Sequence, residues 1–423
     1  MDSRTSDKGN FFPRSVLAAA LVLFAVACPL SKSATYFPLF ASAAFALYYW
    51  AKAGERFLPL NSLRWLFGIW MLTILWQYVT LIANHSDVSP VPVLRALNFL
   101  PVFALAGLPC NREWKENTAK NALFVLLSVT AVTVILGLYQ KGSGITYPLP
   151  VQPFADGKLV GFFGYHIHAG GFLSVVGILT LCLILFWETP ARTKIVLAVL
   201  LSIFAAGVLF SMSRTYYLSS LVMLPVIFIR KGWRHAVAGT ALLVVLIAVA
   251  LSFSPAIKDR SLSIIDVNRN ISNVERIYLW NVARDIICDH PVTGVGFRQW
   301  GNRLPDYAGK YAAEWKFSPA ALHHAHNVYL NTASETGLVG LALFIVFWFG
   351  LLYLMFSRVG KLPPRSFGLA LTLGASYGLI NFLVGGLFEE NFGNLLNMFL
   401  IAFLVSLSFF VNIDLTEGGG KTL

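Results

Sequence analysis

Long apolar runs recur along the chain at about 15–30, 34–51, 62–82, 91–108, 119–139, 168–187, 194–211, 214–230, 234–253, 336–356, 366–387 and 391–411. A hydrocarbon core of ~30 Å takes about 20 apolar residues per helix, so the pattern predicts about twelve transmembrane helices. The run at 91–108 is the least regular, because it holds Pro92, Arg95, Asn98 and Pro101. The first run follows a charged tail that lacks a small-residue cleavage site, and it reads as a retained span rather than a signal peptide. Only 140–167 and 254–335 are long polar interruptions. The chain therefore divides into 1–253, with nine helices and short loops apart from 140–167; 254–335, a large amphipathic helical loop; and 336–423, with three helices and a tail.

Lys and Arg alternate between connections. One set carries Arg4, Lys8 and Arg14, then Lys52, Arg56 and Arg64, Arg112, Lys115 and Lys120, Arg192 and Lys194, Arg230, Lys231 and Arg234, and Arg358, Lys361 and Arg365. The short loops of the other set offer only Lys32, Lys141, Lys158 and Arg214. The positive-inside rule makes the first set cytoplasmic, with both termini inside and the two long loops outside. The net charge of +12 is then mostly topological, and nucleic acid is not expected as a partner. Composition agrees: 57% of residues are apolar and 12% charged, with mean hydropathy +0.68, against about 25% charged in soluble domains. Of the four Cys, only Cys288 falls in the outer set, so no disulfide is expected.

Within 254–335 a helix is expected over about 273–289. Ser272-Asn273-Val274-Glu275 reads as its capping box, and Ile277, Trp280, Ala283 and Ile287 as its apolar stripe. Asp289-His290-Pro291 ends it, and Thr293-Gly294-Val295-Gly296 is a tight turn. A second amphipathic stretch covers about 302–316. Leu322-His323-His324-Ala325-His326-Asn327 then leads into a short helical run and, through Glu335-Thr336-Gly337, into the next span. Such a loop can lie on the membrane surface and roof over a cavity between helices.

Four features carry candidate chemistry. Arg214, in Ser213-Arg214-Thr215, stands at a helix start on the cation-poor side, where Ser213 or Thr215 can cap; it is either a snorkelling anchor or an anion site. Arg276 stands in the first turn of the loop helix, disfavoured by the dipole; it is either half of a surface pair with Glu275 or a second anion contact. His324 and His326 lack a carboxylate at metal-ligand spacing, since Glu335 is nine residues beyond His326, so no metal is expected. If Asn327 caps the following helix, His326 sits at its positive end and stays neutral, as a general base must. Arg95, inside an apolar run, faces either a cavity or the interface, and Glu389-Glu390 is either a partner for a cation or an Arg or a solvated loop. There is no D-x-D, Walker or G-x-S-x-G pattern. Two Arg and a His at one leaflet, with no cradle for a nucleoside triphosphate, fit a lipid-linked diphosphate.

The ordered segments SRT (213–215), ERIYLWNVARDIICDHPVTGVG (275–296) and HHAHNVYLNTASETGLVG (323–340) resemble the O-antigen ligase and polymerase superfamily, most of all the O-antigen ligases, over about 160–350. That resemblance implies a fold similar to GT-C-type integral-membrane glycosyltransferases: all-α, polytopic, with one large periplasmic helical loop in the bacterial inner membrane. It implies inverting transfer of a polysaccharide from undecaprenyl diphosphate to a lipid A–core sugar in lipopolysaccharide biosynthesis, with no cofactor. It assigns His326 as base and Arg214 and Arg276 to the diphosphate. His324, Lys158 and Arg95 are lesser diphosphate contacts, and Lys158 lies in a segment, KLVGFFGYHIH, that departs from the family pattern. An O-antigen polymerase or a protein O-oligosaccharyltransferase would use the same donor. A lipid-glycan transporter is the alternative from another class.

Overall fold

The computed structural model describes residues 11–53, 57–58, 60–143, 154–155, 157–241, 259, 271–311 and 324–413. In chain order the helices are α1 (Phe11–Ala27), α2 (Lys32–Ala53), α3 (Asn61–Ala83), α4 (Val91–Ala96), α5 (Leu100–Leu105), α6 (Arg112–Ser143), α7 (His166–Phe186), α8 (Ala191–Ser211), α9 (Arg214–Ile229), α10 (Ile271–Asp289), α11 (Trp300–Ala308), α12 (Val328–Val359), α13 (Phe367–Gly385) and α14 (Leu395–Asn412). A two-stranded antiparallel hairpin, β1 (Phe154–Ala155) with β2 (Lys158–Leu159), is the one sheet among the described residues. Seven helices, α3, α6, α7, α8, α12, α13 and α14, are long and apolar enough to cross a membrane, and 14–27, 91–105 and 214–229 form shorter apolar helices. The chain is an all-α polytopic membrane protein.

The predicted runs fall on these helices with small shifts. The run at 91–108 is broken: Pro92 and Pro101 each sit in the first turn of a short helix, α4 and α5, with a 3-10 turn between them. Proline has no N–H to continue a ladder, so two starts replace one continuous helix. Of the run at 234–253, residues 233–241 are helical and the remainder lies outside the described residues, as do 312–323.

The connections that the charge alternation separates do meet at opposite ends of the bundle. At one end Arg14 reaches Tyr49 (3.3 Å), Trp50 donates to Ala104 O (2.8 Å), Lys115 to Ile413 O (3.4 Å) and Glu188 N to Arg365 O (2.8 Å). At the other, Val328 N donates to Gly386 O (2.8 Å), Asn84 Nδ2 to Gly294 O (3.1 Å) and Arg95 to Gly393 O (3.5 Å). Helices α7, α13 and α14 form the enclosed centre, whereas only 22% of the α8 span is buried. Apolar burial does not drive helix association in lipid, so close packing and polar pairs hold the centre. Asn381 donates to Ser174 (2.9 Å), joining α13 to α7, and Thr372 pairs with Ser408 (2.9 Å), joining α13 to α14.

A second, small core sits beneath α10 and α11. The buried stripe of α10 is Leu279, Val282, Ala283 and Ile286, packed with Val295, Trp300 and Leu304. Ile277 is exposed. The sequence carries apolar residues on two adjacent faces that share Ala283, and the face met by Trp300 and Leu304 is the one buried. The helix also begins at Ile271, so Ser272 lies within it rather than capping it, and Arg276 falls in the second turn.

The turn after α10 is fixed largely by backbone bonds to α12. Val295 N donates to Ser334 O and Gly296 N to Glu335 O, both at 2.9 Å, and Leu338 N donates to Pro291 O at 2.8 Å. These bonds need α12 to kink at Gly337, where φ is +70°, and Gly294 to hold φ +62°. A β-carbon at Gly294 would lie 2.4 Å from Ser334 O, and one at Gly337 would lie 1.9 Å from Val292 O. Gly294→Ala and Gly337→Ala should each lower the thermal midpoint of the detergent-solubilised protein, since left-handed strain alone costs about 1–3 kcal/mol. Gly309→Ala, which meets nothing within 4 Å, should leave it unchanged; equal midpoints in all three would contradict the docking.

Candidate active site

Asn327 caps α12 as its sequence position suggests: its side chain accepts from Tyr329 N (2.9 Å) and Leu330 N (3.0 Å). Its own amide donates to Leu387 O (2.9 Å), which ties the start of α12 to the 386–394 connection between α13 and α14. The residue before the cap, His326, takes a left-handed backbone (φ +48°), a conformation uncommon outside glycine. That turn delivers its ring to Glu389: Nδ1 and Oε1 are 2.9 Å apart. Arg276, from α10, reaches the other oxygen, Nη2 to Oε2, at 3.3 Å.

Glu389 is 6% exposed, so the solvated-loop alternative is ruled out. Burial by itself pushes its carboxyl upward. The hydrogen bond from His326 and the charges of His326, Arg276 and His324 outweigh burial and hold it at about 2. An ionised carboxylate only accepts, so His326 Nδ1–H donates and Nε2 is the atom left to take a proton. This is the arrangement of a base oriented by a third group. The carboxylate also offsets the charge of Arg276, which is mostly buried. Arg276 Nε is buried and has no hydrogen-bond partner among the described residues.

His324 stands beside His326, ring centroids 4.4 Å apart, and its Nδ1 accepts the His326 backbone N–H at 3.3 Å. His324, His326 and Glu389 bring donor atoms within 4.8 Å of one another, a spacing that one metal ion could bridge. Arg276 occupies the same carboxylate, and a guanidinium beside the donors disfavours a second cation. The absence of a carboxylate within sequence range of the histidines proves no guide, because the carboxylate arrives from another helix pair.

The structure brings Arg276 and His326 onto one group. The charges of His326, Arg276 and His324 are the ones that lower the Glu389 carboxyl most. Arg214 is the first residue of α9 and 7% exposed. Ser213 precedes it without making a side-chain cap bond, which corrects the expected cap. The adjacent Tyr216 lies 3.0 Å from where a β-carbon of Gly385 would be, so the start of α9 packs on the end of α13, just before the Glu389 connection. Lys158, half-buried on β2, sits on the hairpin that contacts α7 and α8.

Arg95 faces a cavity of about 400 Å³. His324 and Glu390 line its polar part, and Trp70, Phe347 and Trp348 its apolar part. Sequence reasoning missed Arg298 and left Glu389 and Glu390 undecided between an Arg partner and a solvated loop. The available signal was a pair of acids in a short connection on the cation-poor side, where Arg214 and Arg276 were already expected.

Residues 199–345 match the family model described as O-antigen ligase. Arg214, Arg276, His324 and His326 fall inside the matched stretch, whereas Arg95, Lys158 and Glu389 fall outside it. No curated protein matches the chain. The segment that carries the two arginines and the capped histidine, residues 199–345, is therefore similar to the O-antigen ligase family.

Proposed function

We propose that the chain is an O-antigen ligase. In this reading it has about twelve spans, a GT-C-like fold and both termini in the cytoplasm. It transfers a glycan from undecaprenyl diphosphate to a lipid A–core sugar hydroxyl at the periplasmic face of the bacterial inner membrane. The observation that carries this is the Glu389 carboxylate held between Arg276 and His326, beside a cavity with one polar and one apolar part, within a chain whose 199–345 stretch matches the family.

The chemistry is one displacement. His326 Nε2 takes the proton from the acceptor hydroxyl as its oxygen forms a bond to the anomeric carbon. The bond from that carbon to the diphosphate oxygen breaks, and the diphosphate leaves with the electron pair. Attack from the face opposite the leaving group inverts the anomeric centre. Charge grows on the diphosphate as the bond lengthens, so cations placed there stabilise the transition state more than the ground state. Arg276 spends one of its five donors on Glu389 and keeps others for phosphate, and Arg214 supplies a second guanidinium from α9. No step calls for a metal ion.

Reconstitution with purified lipid-linked donor and lipid A–core, with chelator present, should give capped glycolipid of inverted configuration. Retained configuration, or a requirement for metal, would contradict the mechanism; transfer only onto a second lipid-linked glycan would reassign the protein as a polymerase. His326→Ala should lower kcat by at least about 100-fold, the scale of a lost general base. Arg276→Lys should cost about tenfold or more, because a point charge loses the fork; undiminished transfer in either variant would remove that residue from the site.

The pH dependence of stability follows from Glu389. Its folded value of about 2 lies below the ordinary 4.5, so the unfolded chain binds the proton first and the carboxylate's contribution is complete above 4.5. It is lost as pH falls toward 2. The thermal midpoint of the wild type should exceed that of Glu389→Gln by a constant margin above about pH 5, and the gap should close on acidification. A gap independent of pH would contradict the ionised, paired carboxylate.

A further inference from the structure

His324 and Glu390, the neighbours of the histidine base and of the paired carboxylate, line the 400 Å³ cavity, and its remaining polar wall has no part in the proton transfer. Arg95 and Arg298 both line that wall, close enough for their charges to repel. Arg298 is held in place from its backbone. It sits in a left-handed turn (φ +59°), the preceding Phe297 N donates to Thr80 Oγ1 at 3.3 Å, and its own amide donates to the Glu335 carboxylate. Arg95 donates to Gly393 O at 3.5 Å. Two guanidinium groups are thus brought to one space by separate anchors, α4 and the turn before α11.

Two acids, Glu335 and Glu390, share that wall with the arginines. Burial pushes the Glu390 carboxyl up, against the attraction of Arg95 and with the help of Glu335 and Glu389, to about 8. Near neutral pH it is mostly the neutral acid, an O–H donor that does not cancel Arg95. His324 accepts on Nδ1, which places its ring proton on Nε2. Asn98 lines the cavity at 1% exposure, and its Oδ1 has no partner among the described residues; as an acceptor it calls for a hydroxyl donor of a ligand rather than for the phosphate itself. Buried polar atoms are rarely left without a partner.

Resting on the ligase reading, we propose that Arg95 and Arg298 form a phosphate subsite for a lipid-borne phosphate ester, on the cavity side of His324. Paired guanidinium forks match phosphate oxygens. A space of about 400 Å³ is at the small end of ligand cavities and takes a phosphate headgroup with the start of its chain, not a polysaccharide. The apolar part, with Trp70, Phe347 and Trp348, receives the chain. Such a phosphate can belong to the donor lipid or to a phosphorylated acceptor glycolipid.

The test uses the full chain in nanodiscs with undecaprenyl phosphate as probe, together with transfer kinetics. Arg298 is exposed, so Arg298→Gln should fold, as a thermal midpoint near that of the wild type would verify; Arg95→Lys is the conservative second variant. A donor phosphate predicts that Arg298→Gln weakens undecaprenyl phosphate binding about tenfold, the loss expected of one charge-assisted hydrogen bond, and raises the donor KM alone. An acceptor phosphate predicts a raised KM for phosphorylated core and none for dephosphorylated core. Either result upholds the subsite. Unchanged probe binding with both KM values unchanged, in folded Arg298→Gln and Arg95→Lys, overturns it. If the wild type transfers no glycan yet Arg298→Gln still loses the probe, the ligase reading fails and the subsite stands.

Discussion

Glu389 is out of water and still ionised because Arg276 and His326 both reach it, at 3.3 and 2.9 Å. Each partner comes from a different part of the chain: α10, the turn before α12, and the connection between α13 and α14. Leaving a buried charge without its partner costs about 3–5 kcal/mol, so the three segments are bound to one geometry. The same carboxylate also fixes the chemistry. It holds the proton on Nδ1 of the imidazole, directs Nε2 to be the acceptor, and neutralises part of a mostly buried guanidinium.

Around that carboxylate the precision comes from backbone. Asn327 ties the cap of α12 to Leu387, and the Pro291–Gly296 turn is bonded to Ser334, Glu335 and Leu338 on both sides of the Gly337 kink. Because Gly294 and Gly337 leave no room for a side chain, α10 cannot slide along α12 without breaking those bonds. The kink has a second consequence. It divides α12 into an upper piece carrying Asn331 and Glu335, which face the cavity and the Arg298 turn, and a lower piece carrying Phe347 and Trp348. One helix thereby lines both the polar and the apolar parts of the cavity.

Local physics was legible in the sequence, and long-range pairing was not. The Asn327 cap acts within three residues, so its pattern was readable, as was the all-α, multi-span character of the chain. The buried face of α10 was misplaced, because Ile277 and Trp280 compete with Leu279 and Val282 for one stripe and only the docking of Trp300 decides between them. Glu389 stayed undecided between an Arg partner and a solvated loop for a plainer reason: 63 residues separate it from His326, and nothing local distinguishes a solvated acid pair from a buried one. Arg95 looked like a costly charge in an apolar run. Its cost is met in part by Glu335 and by the cavity it faces.

The account stands most directly on whether Arg276 and Glu389 act as one unit in the reaction, and a double-mutant cycle on kcat measures that. Arg276→Gln, Glu389→Gln and the combined variant should be compared in the reconstituted transfer assay. A shared ion pair predicts that the double variant loses little more than the worse single one, since the second substitution removes a partner already stranded. If the two losses simply multiply, the residues act independently and the carboxylate is not the centre described.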